Sequence, residues 1–215
     1  MDITYLGHSS FKIKGKSGSV VTDPFDPKMV GIKYAGVEGD IVTISHHHDD
    51  HDKAELVKNT EKVIDGPGEY EINNISIIGV PSYHDDKKGE ERGKNTIYVF
   101  EVDDLRICHL GDLGHKLSDS QIEDIGDIDI LMIPVGGVYT VSVSTAVEIV
   151  QEIEPAIIIP MHFKDQSTSE GLSKLNPVEP FLKEMGLTVE KLPKLSVKKE
   201  DLMEETEKVV LLERK

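Results

Sequence analysis

A chain of 215 residues with 38% hydrophobic and 30% charged residues has the material for one sizeable core, and its net charge of −16 opposes adhesion to nucleic-acid backbones and anionic lipid. No apolar run approaches the ~18 residues of a membrane helix, and the start, MDITYLGHSS, lacks the basic and apolar regions of a secretory signal; a cytoplasmic protein is expected. The lone cysteine, Cys108, excludes an internal disulfide and reads as a small buried apolar residue.

Residues 3 to 22 alternate short apolar stretches with Gly-containing turns, which predicts antiparallel strands joined by hairpins. Two prolines and three glycines make residues 24 to 40 an irregular connection around KYAGVEG, and the β-branched run GDIVTIS then predicts a buried strand that stops at histidines. The segment DKAELVKN, residues 52 to 59, predicts a short helix. Strands are expected at KVID, EINNISIIGVP, NTIYVFEV and LRICHLG. Strand and helix alternate in the second half: SDSQIEDIG a capped helix, DIDILMIPV a strand, STAVEIVQEI a helix, PAIIIPMH a strand, NPVEPFLKEMG a helix ending at Gly186, and EKVVLLERK a closing strand. This order predicts one domain over residues 1–215, an α/β fold in which two packed sheets carry helices on their outer faces as a four-layered sandwich.

Chemistry concentrates in Ser45-His46-His47-His48-Asp49-Asp50-His51, at the end of the apolar strand, which contains HxHxDH. Alternate residues of an extended segment point the same way, so His46 and His48 can serve one metal ion while Asp50 and His51 reach a second beyond the bend. Three further residues stand just past apolar strands: His84, Asp112 and His162. Counting ligands gives His46, His48 and His84 to one ion and Asp50, His51 and His162 to the other, with Asp112 bridging. Imidazole and carboxylate donors suit zinc, manganese and iron alike; zinc is the default expectation, with manganese next. Each position has a plainer reading: a solvated His-rich tract, an exposed loop for His84, a turn aspartate for Asp112, a buried core histidine for His162. His47 and Asp49 alternate with the ligands and should point away, while Gly136, Gly137 and Tyr139 could shape a pocket or merely a turn and core. Lys164 is solvated by default, although it could meet an anionic substrate.

The order of GHSSF, TDPF, SHHHDDH, the His84 loop, HLGDLGH and IPMHF resembles the metallo-β-lactamase superfamily over nearly the whole chain, and within it the ascorbate-6-phosphate lactonase-like branch of small Zn-dependent hydrolases. The resemblance implies an αββα sandwich of metallo-β-lactamase type with two mixed sheets and a two-metal hydrolytic site at one edge. It also implies that Asp23 supports a ligating histidine through its second ring nitrogen, with His8 a weaker candidate for such support. Asp50, beside its part as ligand, joins His109 and His115 as candidates for proton transfer. Two divalent ions would lower the pKa of a shared water and supply a hydroxide nucleophile for a small ester, lactone or phosphoester. The rivals are a non-catalytic metal-binding or sensing module of the same fold, and a nuclease-type phosphodiesterase, which usually adds a nucleic-acid-binding arm. The expected partner is a small-molecule substrate, with no membrane and no large nucleic acid. Oligomeric state stays open, a symmetric homo-oligomer being a common prior for a soluble enzyme.

Overall fold

The computed structural model describes residues 1–34, 36–165, 168–202 and 207–215; Ala35 of the KYAGVEG segment lies outside the described residues. In chain order the elements are β1 (Asp2–Gly7), β2 (Ser10–Lys14), β3 (Ser19–Thr22), α1 (Pro27–Val30), β4 (Ile41–Thr43), β5 (Lys62–Ile64), β6 (Gly68–Ile72), β7 (Ile75–Tyr83), β8 (Lys94–Val102) and β9 (Leu105–His109). There follow α2 (Asp119–Ile125), β10 (Ile130–Pro134), α3 (Val143–Ile153), β11 (Ile157–Met161), α4 (Glu179–Met185), β12 (Thr188–Leu192), β13 (Leu195–Ser196) and β14 (Lys208–Leu212).

Two mixed sheets result. One runs β13-β1-β2-β3-β4-β5, antiparallel through its hairpins and parallel from β3 to β5. The other runs β12-β14-β11-β10-β9-β8-β7-β6, with β12 to β9 parallel and β9 to β6 antiparallel. Alternate side chains of both sheets meet in an inner core that includes Ile3, Phe11, Ile13, Ile41, Ile77, Phe100, Ile107 and Ile159. Each such side chain contributes roughly 1.5–3 kcal/mol by leaving water. Tyr98 crosses this layer and donates its hydroxyl to Ile44 O at 3.0 Å, tying the strand before the histidines to the opposite sheet.

The outer layers differ. Against the larger sheet, Ile125 of α2, Ala146, Ile149 and Val150 of α3 and Phe181 of α4 pack on Leu131, Ile133 and Ile158. Capping fixes these helices: Ser118 and Gln121 form a reciprocal capping box, Ser142 accepts from Thr145 N–H, and Gly186 ends α4 at φ 65. The smaller sheet is covered instead by Val37, Tyr34, Val57 and Ala54 from irregular chain. The helix expected over 52–59 is a single 3-10 turn, Ala54–Leu56, because no side chain caps it and too few apolar residues face the sheet to hold a longer one. The run read as one strand, EINNISIIGVP, is a hairpin: Asn73 and Asn74 adopt φ 53 and 57, the paired left-handed geometry of a tight hairpin turn. Strands β12 and β13 are short and half exposed, and lacked the apolar run that marked the others.

Candidate metal centre

Four strands end at one rim. β4 leads into the 45–51 segment, where His51 N–H donates to His48 O at 2.8 Å and folds HxHxDH into a turn. His84 and His162 directly follow β7 and β11, and Asp112 stands three residues beyond β9. Since β9, β10 and β11 are parallel, the ends of β9 and β11 open on the same side of the sheet.

Asp112 sits at the middle of the histidines. Its Oδ2 lies 3.1 Å from His162 Nε2, 3.3 Å from His84 Nε2, 3.4 Å from His51 Nε2 and 4.0 Å from His46 Nε2. Among the described residues, three overlapping groups have ligand atoms within 4.8 Å of one another: His46, His48 and His84; His46, His51 and Asp112; and His8, Asp50, His51 and His162. All seven residues expected as ligands are thereby gathered, with Asp112 between the two halves.

The donor set fits divalent ions. Nε2 of His46, His51 and His162 and Oδ1 of Asp112 are buried without a hydrogen-bond partner, a costly condition that an ion at that point would relieve. The tautomers agree. Ser45 donates its only hydroxyl hydrogen to Asp23 Oδ2 at 2.6 Å, so the 3.0 Å contact with His46 must be Nδ1–H donating to Ser45 Oγ, which leaves Nε2 of His46 a lone pair. His51 Nδ1 donates to the same Asp23 oxygen at 2.9 Å, and Asp23 Oδ1 accepts Ser45 N–H at 2.8 Å. One buried carboxylate thus turns two inward-facing nitrogens into acceptors. Asp23, His8 and His162 hold φ of 38, 57 and 50, left-handed conformations that L residues adopt only under surrounding constraint.

The fields inside the cluster are opposed. Burial would lower His51, yet the neighbouring Asp112 and Asp50 carboxylates raise it well above its ordinary value. Burial would raise Asp112, and His162 and His51 hold it well below the usual carboxylate range. Burial, reinforced by His51, pushes His46 well down, and burial lowers His84. Ionised Asp112 beside neutral His46 and His84 is ready to bind a cation, whereas His51, held protonated by the two carboxylates, would give up its Nε2 proton to an entering ion.

Other expected positions fall differently. Burial, then His162, lowers His8 to about 4, and its Nε2 meets Asp50 Oδ2 at 3.1 Å, so neutral His8 donates to Asp50 and buttresses it. His109 is wholly buried; its Nε2–H donates to Ser9 O at 2.8 Å and its Nδ1 accepts Gly111 N–H at 3.2 Å. His115 borders an adjoining cavity, but Nδ1–H donates to Lys116 O at 2.6 Å and Nε2 accepts Tyr83 N–H at 3.1 Å. Both histidines, expected as candidates for proton transfer, therefore have each ring nitrogen engaged by main chain. His47 and Asp49 project outward as expected, exposed by 63% and 72%. Lys164 donates to Ser173 O on the surface. Two contributors escaped notice: Gly114, where a Cβ would collide with backbone at His84 and Asp85, and Arg92, which lines the cleft; at Gly136, expected to shape a pocket or a turn, a Cβ would collide with backbone at His162. Gly114 was visible only as part of a Gly-containing turn, and Arg92 only as one charge in a polar loop.

A family profile described as the Beta-lactamase superfamily domain matches residues 2–162. A UPF0173 metal-dependent hydrolase from Thermococcus onnurineus is 29% identical, covering 75% of this chain and 84% of its own. One from Staphylothermus marinus is 31% identical, with 75% and 82% covered. Among solved structures, a Thermotoga maritima protein assigned to the Zn-dependent hydrolases of the metallo-β-lactamase superfamily aligns at TM-score 0.79 and 38% identity over 98% of both chains.

Proposed function

The chain belongs to the beta-lactamase superfamily and is a metal-dependent hydrolase, and from that premise we propose that it works with two divalent ions, zinc before manganese or iron, on a small ester, lactone or phosphoester. The observation that carries this reading is the placement of four histidine Nε2 atoms within 4.0 Å of Asp112 Oδ2, three of them buried and unpartnered. His46, His48 and His84 would hold one ion, Asp50, His51 and His162 the other, and Asp112 both. Bound there, the ions supply Lewis acidity and bring the pKa of solvent toward neutrality.

The chain's own part is orientation and proton handling. Asp23 fixes the ring nitrogens of His51 and, through Ser45, of His46. His8 holds Asp50 by Oδ2, which leaves Oδ1 of a carboxylate that lines the cleft to accept a proton from attacking solvent. The cleft, about 370 Å³, has Met29, Tyr139 and Leu172 beside the ligand residues, a size and lining that suit a small molecule with an apolar portion.

The test is a hydrolysis screen over lactones, phosphodiesters and thioesters with metal-loaded and metal-stripped protein. Turnover is expected only when loaded, and His48→Ala and Asp112→Ala are each expected to abolish it while the circular dichroism spectrum is kept. Undiminished turnover in stripped protein or in either variant would refute the reading.

A further inference from the structure

Between β7 and β8 the chain makes an excursion past His84, and Asp85 organises it. Oδ1 of Asp85 accepts the N–H groups of Lys87 and Gly89, both at 2.8 Å, and Oδ2 accepts those of Glu91 at 3.0 Å and Arg92 at 2.7 Å. A carboxylate offers about four acceptor positions, and here each faces main chain. Asp85 is only 4% exposed, so its carboxylate is committed to these main-chain donors and pins the wrap.

The wrap delivers Arg92 to the cleft. Arg92 lines both the cavity that contains His48, Asp50, His84, Asp112 and His162 and an adjoining one of about 400 Å³ bordered by His84, His115 and Tyr139. Its guanidinium carbon lies 5.8 Å from the centroid of the Tyr139 ring, and its ion pair with Glu91 is long, at 3.6 Å, with Glu91 also engaged by Lys87. Tyr139 arrives from the opposite side on a strained turn: Val138, β-branched and 50% exposed, is held at φ 56 after Gly137 at φ 60. A conformation of that kind costs on the order of 1–3 kcal/mol and persists only where the surroundings enforce it. The other cation bordering these cavities among the described residues, Lys116, is paired with Glu148. Two independently constrained loops thus bring a guanidinium and an aromatic ring together on the wall of the hydrolytic cleft.

We propose that Arg92 is the specificity-determining residue of this site, gripping a carboxylate or phosphate group of the substrate remote from the scissile bond, and that Asp85 is the residue that positions it. The inference rests on the hydrolytic reading above and narrows it to small anionic esters, lactones and phosphoesters. The planar guanidinium offers two parallel donors to such an oxyanion, and the Tyr139 ring beneath restricts its swing.

Zinc-loaded protein is assayed with para-nitrophenyl hydrogen succinate and the neutral para-nitrophenyl butyrate. In Arg92→Ala the ratio of kcat/KM for the anionic over the neutral ester is expected to fall about tenfold or more, through KM of the anionic ester, and Arg92→Lys to recover part of it. Asp85→Asn is expected to move the ratio the same way at wild-type metal content. An unchanged ratio in Arg92→Ala overturns the proposal, and loss of metal in Asp85→Asn overturns the positioning role. If the wild-type protein cleaves neither ester, calorimetric binding of inorganic phosphate and of acetate to the zinc-loaded protein decides. About tenfold weaker binding in Arg92→Ala upholds the proposal, the better-bound anion identifying the group; equal affinity refutes it even if the hydrolytic reading survives.

Discussion

Asp23 is wholly buried, and its two oxygens take hydrogen bonds from His51 Nδ1, Ser45 Oγ and Ser45 N–H. Asn at this position tolerates the positive φ of 38 but presents an amide donor where only acceptors serve. Asp23→Asn is therefore expected to lower metal affinity about 10- to 100-fold with the fold retained, read by chelator competition. Wild-type affinity would remove Asp23 from the account. At this scale the seven candidate ligands were legible because each follows an apolar strand, and strand ends share a rim. The partners of His109 and His115, carbonyl and amide groups of Ser9, Gly111, Tyr83 and Lys116, were not legible, because one-dimensional spacing does not reveal main-chain contacts. Arg92 was passed over since its meaning depends on the folding of its loop about Asp85 and on a ring 47 residues further along, at position 139.

Among the elements, the buried strands β4, β7 to β11 and β14 were plain from apolar runs, and α2, α3 and α4 from caps and helical spacing. What the pattern missed were elements defined by context: the Asn73-Asn74 turn, the single 3-10 turn at Ala54–Leu56, and the weakly apolar edges β12 and β13. The ends of β10 and β11 show why a glycine matters for function as well as for turning. A Cβ on Gly136 would overlap the carbonyl oxygen of His162, so the two segments approach only because that side chain is absent. Gly136→Ala is expected to destabilise the protein by about 1–3 kcal/mol in urea unfolding and to weaken metal binding, since relief requires moving His162. Unfolding at the wild-type midpoint would contradict this.

For the molecule as a whole, two mixed sheets carry the site on their common rim while helices cover the larger sheet and irregular chain covers the smaller. No helix among the described residues is long and apolar enough to cross a membrane. The net charge of −16 and the cation-binding rim act at different ranges: the first sets the field that large polyanions meet, the second a local field that reverses once divalent ions enter. Since the candidate ligands come from both sheets, occupancy by metal should also depend on the sheets staying packed. The most direct check of the account is metal content by mass spectrometry after equilibration with zinc and removal of excess. About two ions per chain are expected for the wild-type protein and less than one for Asp112→Ala; a wild-type protein holding none, or an Asp112→Ala protein still holding two, would contradict it.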